Sequence, residues 1–236
     1  MDLSAPIAAA VPGVHGRVLA VVARSGLPLT GKRVAELAGA SIEQTRHVLR
    51  RMVDDGLLQS SHAGQAVLFE PNRTHLLWPA VQQLVHEADQ AVWTLSRRIS
   101  VTIEETLELD EAHGVTGALF GSVARGDSGP DSDVDVLLIT PDDLPEPAVE
   151  TLVVEVIRTV EAATGNDGNV LQLSRQQFDD LARTHDPMVT SLMADATVFF
   201  GPDLRRRARG EPWDGPGMPR PRTSSSAPRP RESTSR

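Results

Sequence analysis

The sequence predicts an α/β (α+β) protein in which a mainly helical N-terminal unit precedes a unit of alternating strands and helices. Through residues 14–53, apolar positions recur every three or four residues, the period of amphipathic helices. Between residues 114 and 201, short apolar runs typical of buried strands alternate with segments of helical length. The chain has 236 residues and 40% hydrophobic content, which is enough for two small domains.

The N-terminal unit is predicted to form three helices and a hairpin. The first helix covers residues 14–24, and Thr30 can cap a second helix over residues 32–38. Ser41 can cap the third helix, with Gln44 three residues later completing a capping box. Two strands joined by a glycine-containing turn should follow, over residues 57–60 and 66–70.

This order of elements, and the third-helix ending VLRRMVDDGLL, resembles a winged helix-turn-helix domain over residues 13–72. The resemblance implies DNA binding by the third helix. Its polar side chains lie opposite the apolar face, and the candidates for DNA contact are Arg46, His47, Arg50 and Arg51. The alternative is a solvated face of a protein–protein interaction module, since residues 1–75 carry only eight basic against six acidic residues.

Residues 73–113 are predicted to be a connecting helix, interrupted early by Pro79. Its apolar stripe runs from Val81 to Ile103 and would pack on the second unit or across a homodimer interface. Trp78 and Trp93 are interpreted as packing anchors rather than ligand platforms.

The second unit is expected to span residues 114–204. Strands are predicted over residues 115–120, 134–140, 169–173 and 197–200, with helices over 147–163, 174–183 and 187–194. From residue 205 to residue 236, Pro, Arg, Ser and Gly dominate. Such a composition buries too little apolar surface to offset its ordering entropy, so we expect a disordered tail.

The segment that carries chemistry is ALFGSVARGDSGPDSDVDVLLI, residues 118–139. Gly121 allows a sharp turn after a strand, and Ser122 then begins a helix whose free N–H groups can bind an anion. Asp133 and Asp135 are two residues apart on an extended segment, so their carboxylates share one face. Neighbouring carboxylates repel each other unless a cation lies between them, and Mg²⁺ with nucleotide phosphates meets that need.

This spacing, with Arg125-Gly126-Asp127 and Ser132, is similar to the signature of polymerase-β-like nucleotidyltransferases, especially the small "minimal" group. The resemblance implies a nucleotidyltransferase fold with a mixed sheet. It also implies that Asp133 and Asp135 are catalytic and hold Mg²⁺ (or Mn²⁺). The triphosphate of an NTP, with ATP the expected one, would be bound at Gly121, Ser122 and Arg125.

The sequence departs from that family at its usual third carboxylate. The corresponding strand, residues 169–173, contains no acid. Asp167 lies just before it, where its Asn and Gly neighbours favour a turn residue over a metal ligand. Gln172 is a neutral substitute that coordinates metal less strongly and cannot act as a base. Nucleotide and metal binding are therefore better supported than turnover.

Three functions remain open. The first is transfer of an NMP from an NTP to an unidentified acceptor, coupled to a DNA-binding winged helix. The second is a transcription regulator whose nucleotidyltransferase-like domain only senses nucleotide or mediates assembly. The third is a toxin–antitoxin component.

Composition constrains the setting of these functions. Residues 76–205 hold seven basic and 23 acidic residues, so this region is a poor general surface for nucleic acid. The absence of cysteine and of a long apolar segment leads us to expect a cytoplasmic protein with no membrane partner.

Overall fold

A computed structural model describes residues 1–209 and Trp213. After a 3-10 turn at Pro6–Ala9, the N-terminal unit contains three helices, α1 (Gly13–Arg24), α2 (Gly31–Ala38) and α3 (Ile42–Asp54). A two-residue strand precedes α2 and a hairpin follows α3. These strands are β1 (Leu29–Thr30), β2 (Leu58–Ala63) and β3 (Ala66–Pro71), and they form an antiparallel sheet of order β1-β3-β2.

Both predicted helix caps are present. The Thr30 hydroxyl accepts a hydrogen bond from Arg33 N, and the Ser41 hydroxyl accepts one from Gln44 N, each at 3.2 Å. The capping box at α3 is only half formed, because the Gln44 side chain contacts the Ser41 hydroxyl at 3.1 Å. Serine still satisfies one of the free N–H groups at the start of α3.

The connection between the two units consists of three helices rather than one. They are α4 (Trp78–Asp89), α5 (Ala91–Thr106) and the short α6 (Leu109–His113). Pro79 lies in the first turn of α4, where a missing N–H costs nothing, so it begins the helix instead of interrupting it. The prediction of a single connecting helix over residues 73–113 is therefore wrong, and the chain breaks at Gln90.

The two long helices of this connection belong to different cores. Trp78 of α4 is 1% exposed and packs with Leu49 and Leu58 of the N-terminal unit, as predicted for an anchor. Leu95 and Ile99 of α5 instead pack in the core of the second unit. Burial against both units fixes the direction of the chain between them.

Trp93 differs from Trp78. Its side chain is 48% exposed, and the Arg97 guanidinium lies over the indole ring with 5.7 Å between the guanidinium carbon and the ring centroid. The prediction that Trp93 is a packing anchor is wrong, because helical spacing alone does not distinguish the two sides of α5.

The second unit contains a mixed four-stranded sheet, as predicted. Its strands are β4 (Thr116–Phe120), β5 (Val134–Thr140), β6 (Gly168–Ser174) and β7 (Thr197–Phe200), in the order β6-β5-β4-β7. Strands β5 and β6 are parallel, and β4 is antiparallel to both β5 and β7. The helices of this unit are α7 (Gly121–Arg125), α8 (Glu146–Thr164), α9 (Arg175–Arg183) and α10 (Pro187–Asp195).

Helices cover the two faces of this sheet, and the alternation of side chains along β5 assigns residues to each face. Val136 and Leu138 face the core formed with α5 and α8. Leu137 and Ile139 face the opposite core, which includes Phe178 of α9 and further side chains of α10. Asp135 shares this second face, at the start of β5.

The chain continues past residue 204 as a short helix, α11 (Leu204–Ala208), and Trp213 is 8% exposed within the core on the α9 side. The predicted start of the disordered tail at residue 205 is therefore too early, because Leu204 and Trp213 are buried and hold this part of the chain. Residues 210–212 and 214–236 lie outside the described residues. Among the described helices, none has the length and apolar character needed to span a membrane.

Candidate functional site

Asp135 lies at the centre of the predicted site, in a central strand of the sheet. It pairs with Phe120 on β4 and with Asn169 on β6. Because Asn169 is in register with Asp135, both side chains project from the same face. The Asn169 Nδ2 donates a hydrogen bond to Asp135 Oδ1 at 2.9 Å, which orients the carboxylate.

Gly121 lies against the other carboxylate oxygen of Asp135. Its φ of 67° is in the left-handed region that favours glycine. An ideal Cβ at this position would be only 2.2 Å from Asp135 Oδ2. The turn from β4 into α7 therefore has no room for a side chain, and the structure brings the main chain at Gly121 into contact with Asp135.

Ser122 follows in the first turn of α7, directly beyond the point where Phe120 pairs with Asp135. The Ser122 carbonyl accepts a hydrogen bond from Asp127 N at 3.0 Å, which closes this five-residue helix. Both Gly121 and Ser122 are half-buried. The sequence-predicted pair thus lies at the end of β4 beside the acidic end of β5.

Arg125 is held by carboxylates. Its Nη1 lies 3.0 Å from Asp195 Oδ2, and its Nε lies 3.3 Å from Asp127 Oδ2. Hydrogen bonds to Asp195, and then to Asp127, raise the pKa of Arg125 above its ordinary value. The Arg125 side chain is still 45% exposed, so a contact with phosphate would compete with these ion pairs.

Asp133 is exposed and immediately precedes β5. Two contacts fix the loop before it. Gly129 N donates to Ser132 Oγ at 2.8 Å, and Asn166 Nδ2 donates to the Ser132 carbonyl at 2.7 Å. Asn166 is itself buried. The side chain that holds this loop was missed by sequence reasoning, because an Asn in an Asn-Asp-Gly run is typical of a turn.

The two residues considered for the missing third ligand occupy different places. The prediction that Gln172 replaces the third ligand is wrong. Gln172 is in register with Leu138, so it lies on the face of the sheet opposite Asp135. There its Nε2 donates a hydrogen bond to Thr140 Oγ1 at 3.0 Å. Asp167 is held beside the site by its main chain, whose carbonyl accepts a hydrogen bond from Val134 N at 2.9 Å.

Asn169 occupies the position on β6 beside Asp135, and sequence reasoning passed over it. Asn169 is not an acid, and the register that brings it beside Asp135 cannot be derived from sequence. Within residues 1–209 and Trp213, no three His, Cys, Asp or Glu side chains lie close enough together to hold a metal ion. The Asp135 carboxylate and the Asn169 amide are in contact at the site, and the exposed Asp133 lies two residues before Asp135. Oxygen donors of this kind suit Mg²⁺ when phosphate and water complete the shell.

A second cluster of predicted site residues lies in the N-terminal unit. A cavity of about 430 Å³ lies between α3 and the β2–β3 hairpin, and its charged lining residues are Lys32, Arg46, Arg50 and the acid Asp54. Arg51 lies elsewhere on α3, in an ion pair with Asp55 at 3.3 Å. His47 is exposed and is not part of the cavity lining.

A comparison with protein families matches the part of the chain that contains β4, β5 and β6. Residues 99–183 match the family model described as "Nucleotidyltransferase domain". The matched segment runs from the middle of α5 to the end of α9, so it includes Gly121, Ser122, Asp133, Asp135 and Asn169. The chain thus contains a nucleotidyltransferase domain, and the match begins 15 residues before the predicted boundary at 114. No curated protein and no solved structure matched the chain.

Proposed function

We propose that the protein transfers a nucleoside monophosphate from an NTP, with ATP the first to test, to an acceptor hydroxyl with Mg²⁺ (or Mn²⁺). The observation that carries the proposal is the contact between the Asp135 carboxylate and the main chain at Gly121. A triphosphate that approaches this glycine would lie beside a carboxylate, an arrangement that is favourable when a cation separates them.

Each residue of the site has a distinct part in this proposal. Asp133 and Asp135 would hold the metal ion, which when bound neutralises charge on the phosphates. Asn169 orients the Asp135 carboxylate through its hydrogen bond. Gly121 and Ser122 present main-chain N–H groups to the triphosphate. An amide cannot accept the proton of the acceptor, so that proton would pass to water.

The proposal is tested by transfer of label from an α-³²P-labelled NTP. The full chain is incubated with Mg²⁺ and separate pools of protein, RNA and small hydroxyl compounds. We expect labelled acceptor and released pyrophosphate, both reduced about 100-fold or more in Asp133→Asn/Asp135→Asn. Asp143→Asn, an exposed loop residue, is the matched control and should retain activity. Absence of nucleotide turnover with every pool would contradict the proposal.

A second function is favoured by the cationic cavity of the N-terminal unit. We infer that residues 13–72 form a winged helix-turn-helix that binds DNA through Arg46 and Arg50. In this reading, His47 and Arg51 lie at the edge of the contact surface. Lys32 lines the same cavity as both arginines, and these three cations against the single acid Asp54 suit a phosphate backbone. The protein would then act as a transcription regulator, whether or not it turns over nucleotide.

DNA binding is tested by selection from genomic fragments followed by footprinting. Arg46→Ala/Arg50→Ala should lose the selected site and lower the slope of log affinity against log salt by about two. Arg73→Ala removes an exposed positive charge outside the cavity and serves as the control. If selection returns no preferred fragment, the proposed regulator function is contradicted, and the transferase proposal is unaffected.

A further inference from the structure

The main chain on both sides of Asp133 is attached to the loop between α8 and β6. On one side, the Ser132 carbonyl accepts a hydrogen bond from Asn166 Nδ2 at 2.7 Å. On the other side, Val134 N donates to the Asp167 carbonyl at 2.9 Å. The Asp133 carboxylate itself is exposed and has no hydrogen bond or ion pair with the residues that the structure describes. Its position therefore depends on how this loop holds the main chain.

Asn166 is buried, at 7% exposed, and makes hydrogen bonds in several directions. Its main-chain N donates to Thr164 Oγ1 at 3.0 Å, at the last residue of α8. An amide nitrogen has two hydrogens to donate, and the two carbonyls nearest to Nδ2 are those of Ser132 and, at 3.0 Å, Met1. The Pro130 carbonyl lies farther away at 3.5 Å, and Oδ1 accepts a hydrogen bond from Met1 N. Asn166 thus joins the Ser132 carbonyl to α8 and to the first residues of the chain.

Packing of the first residues keeps the Met1 main chain within reach of Asn166. Leu3 is 6% exposed and packs in the core that includes Val134 at the start of β5. Ile7 is 3% exposed and packs instead against α1 and α4 of the N-terminal side. The segment is therefore fixed at two points, although it lies outside the residues that match the family model.

We propose that Asn166 is a positioning residue for Asp133, held in place by residues 1–3, an inference that rests on the proposed transferase function. Asn166 holds the Ser132 carbonyl, so that the Asp133 carboxylate is in place before a cation binds. Without the Nδ2 donor, the loop before Asp133 gains conformations that metal binding must then exclude. The consequence is a higher Mg²⁺ requirement, which excess Mg²⁺ overcomes.

The first test is calorimetric binding of a non-hydrolysable ATP analogue to the full chain at a series of Mg²⁺ concentrations. Asn166→Ala should raise the half-saturating Mg²⁺ concentration about tenfold or more, as expected when a group that orients a metal ligand is lost. At saturating Mg²⁺, its affinity for the analogue should stay within about twofold of that of the unsubstituted protein. Partial unfolding would instead lower the number of binding sites and leave the half-saturating concentration unchanged.

Asn72→Ala is the matched control for this test. Asn72 Nδ2 donates to the Gly56 carbonyl at 2.8 Å in the N-terminal unit, so the variant loses a comparable hydrogen bond far along the chain from Asp133. It should keep the Mg²⁺ dependence of the unsubstituted protein.

The second test acts on the N-terminal segment. Leu3→Ala should raise the half-saturating Mg²⁺ concentration about threefold or more, because it loosens the segment that holds Asn166. Leu144→Ala is its control, since Leu144 is 9% exposed in the same core but follows the far end of β5. Because Leu3 acts through Asn166, the double variant Leu3→Ala/Asn166→Ala should show no further rise beyond that of Asn166→Ala.

The third test needs neither metal nor nucleotide. Main-chain amides of residues 129–133 should exchange hydrogen about fivefold faster in Asn166→Ala, while those of β5 keep the rates of the unsubstituted protein. Asn72→Ala should leave both sets of rates unchanged.

The outcomes separate the two proposals. If the unsubstituted protein binds the analogue with Mg²⁺ and Asn166→Ala has the same Mg²⁺ requirement, the positioning role is overturned and the transferase function is left intact. Unchanged hydrogen exchange in residues 129–133 would also overturn it. If Asn166→Ala does not fold, equal Mg²⁺ requirements in Leu3→Ala and Leu144→Ala would overturn it instead. Absence of Mg²⁺-dependent binding by the unsubstituted protein would overturn both proposals.

Discussion

At the scale of single residues, the Asp135 carboxylate depends on two neighbours. Asn169 binds one oxygen, and Gly121 leaves space for the other. The sequence predicted a sharp turn at Gly121 after a strand, and that turn is present; it did not predict the direct contact between Gly121 and the Asp135 carboxylate. It did not indicate Asn169, since the pairing of β6 with β5 brings together residues 34 positions apart.

Gly121→Ala is predicted to displace the Asp135 carboxylate and to abolish nucleotide transfer. The added Cβ would lie 2.2 Å from Asp135 Oδ2, which must move, and displacement of about 1 Å at a catalytic group can cost about 100-fold in rate. NTP-dependent label transfer measures this loss of rate.

Gly126→Ala is the control, because Gly126 also has a positive φ of 76° but a Cβ there meets nothing within 4 Å. Strain from the positive φ should cost each variant about 1–2 kcal/mol of stability, Gly121→Ala should lose more because of its clash with Asp135, and only Gly121→Ala should lose transfer. Equal loss of transfer in both would contradict a specific contact.

Asn169→Asp is predicted to strengthen metal binding. The substitution replaces a hydrogen-bond donor to Asp135 with a third carboxylate, so without metal the two acids repel and the melting temperature falls. With Mg²⁺ the extra charge should tighten binding about tenfold. Thermal melts with and without Mg²⁺ measure the difference. If Mg²⁺ shifts the melting temperature of Asn169→Asp by the same amount as that of the unsubstituted protein, residue 169 does not face the metal.

At the scale of elements, regular periodicity and caps were sufficient for most boundaries. The limits of β5 and β7 and the cap residues of α2 and α3 agree with the structure, because each depends on neighbours in sequence. The break at Gln90 was missed. No Gly or Pro marks it, and both flanking helices keep the same apolar period. Tertiary packing of α4 and α5 into separate cores determines the break.

Ile99→Ala tests the assignment of α5 to the nucleotidyltransferase core. Ile99 is fully buried, and truncation of such a side chain leaves a cavity that costs about 3 kcal/mol. Val101 lies on the same helix and is 40% exposed, so Val101→Ala should cost less than about 1 kcal/mol of stability. Urea denaturation of the two variants gives the comparison. Similar losses would mean that α5 does not pack as described.

At the scale of the whole molecule, charge and packing separate two units. The acidic region and the cationic cavity lie in different parts of the chain, and each unit has its own buried cluster. The sequence predicted this division from composition. It could not predict that residues near the N-terminus join the second core, where Leu3 packs, because such a contact follows from the folded shape alone.

Independence of the two sites is a prediction at this scale. Arg46→Ala/Arg50→Ala should change Mg²⁺-dependent affinity for a non-hydrolysable ATP analogue by less than about twofold, since the cavity contacts no residue of the acidic site. Isothermal titration calorimetry measures it. A larger change would indicate coupling between the units.

The most direct measurement of the central claim is calorimetric titration of the full chain with a non-hydrolysable ATP analogue, with and without Mg²⁺. We predict binding only with Mg²⁺, weakened about tenfold or more in Asp135→Asn and unchanged in Asp143→Asn. Equal affinity in Asp135→Asn, or equal affinity without the metal, would contradict a site in which Asp135 and the main chain at Gly121 bind a metal–nucleotide complex.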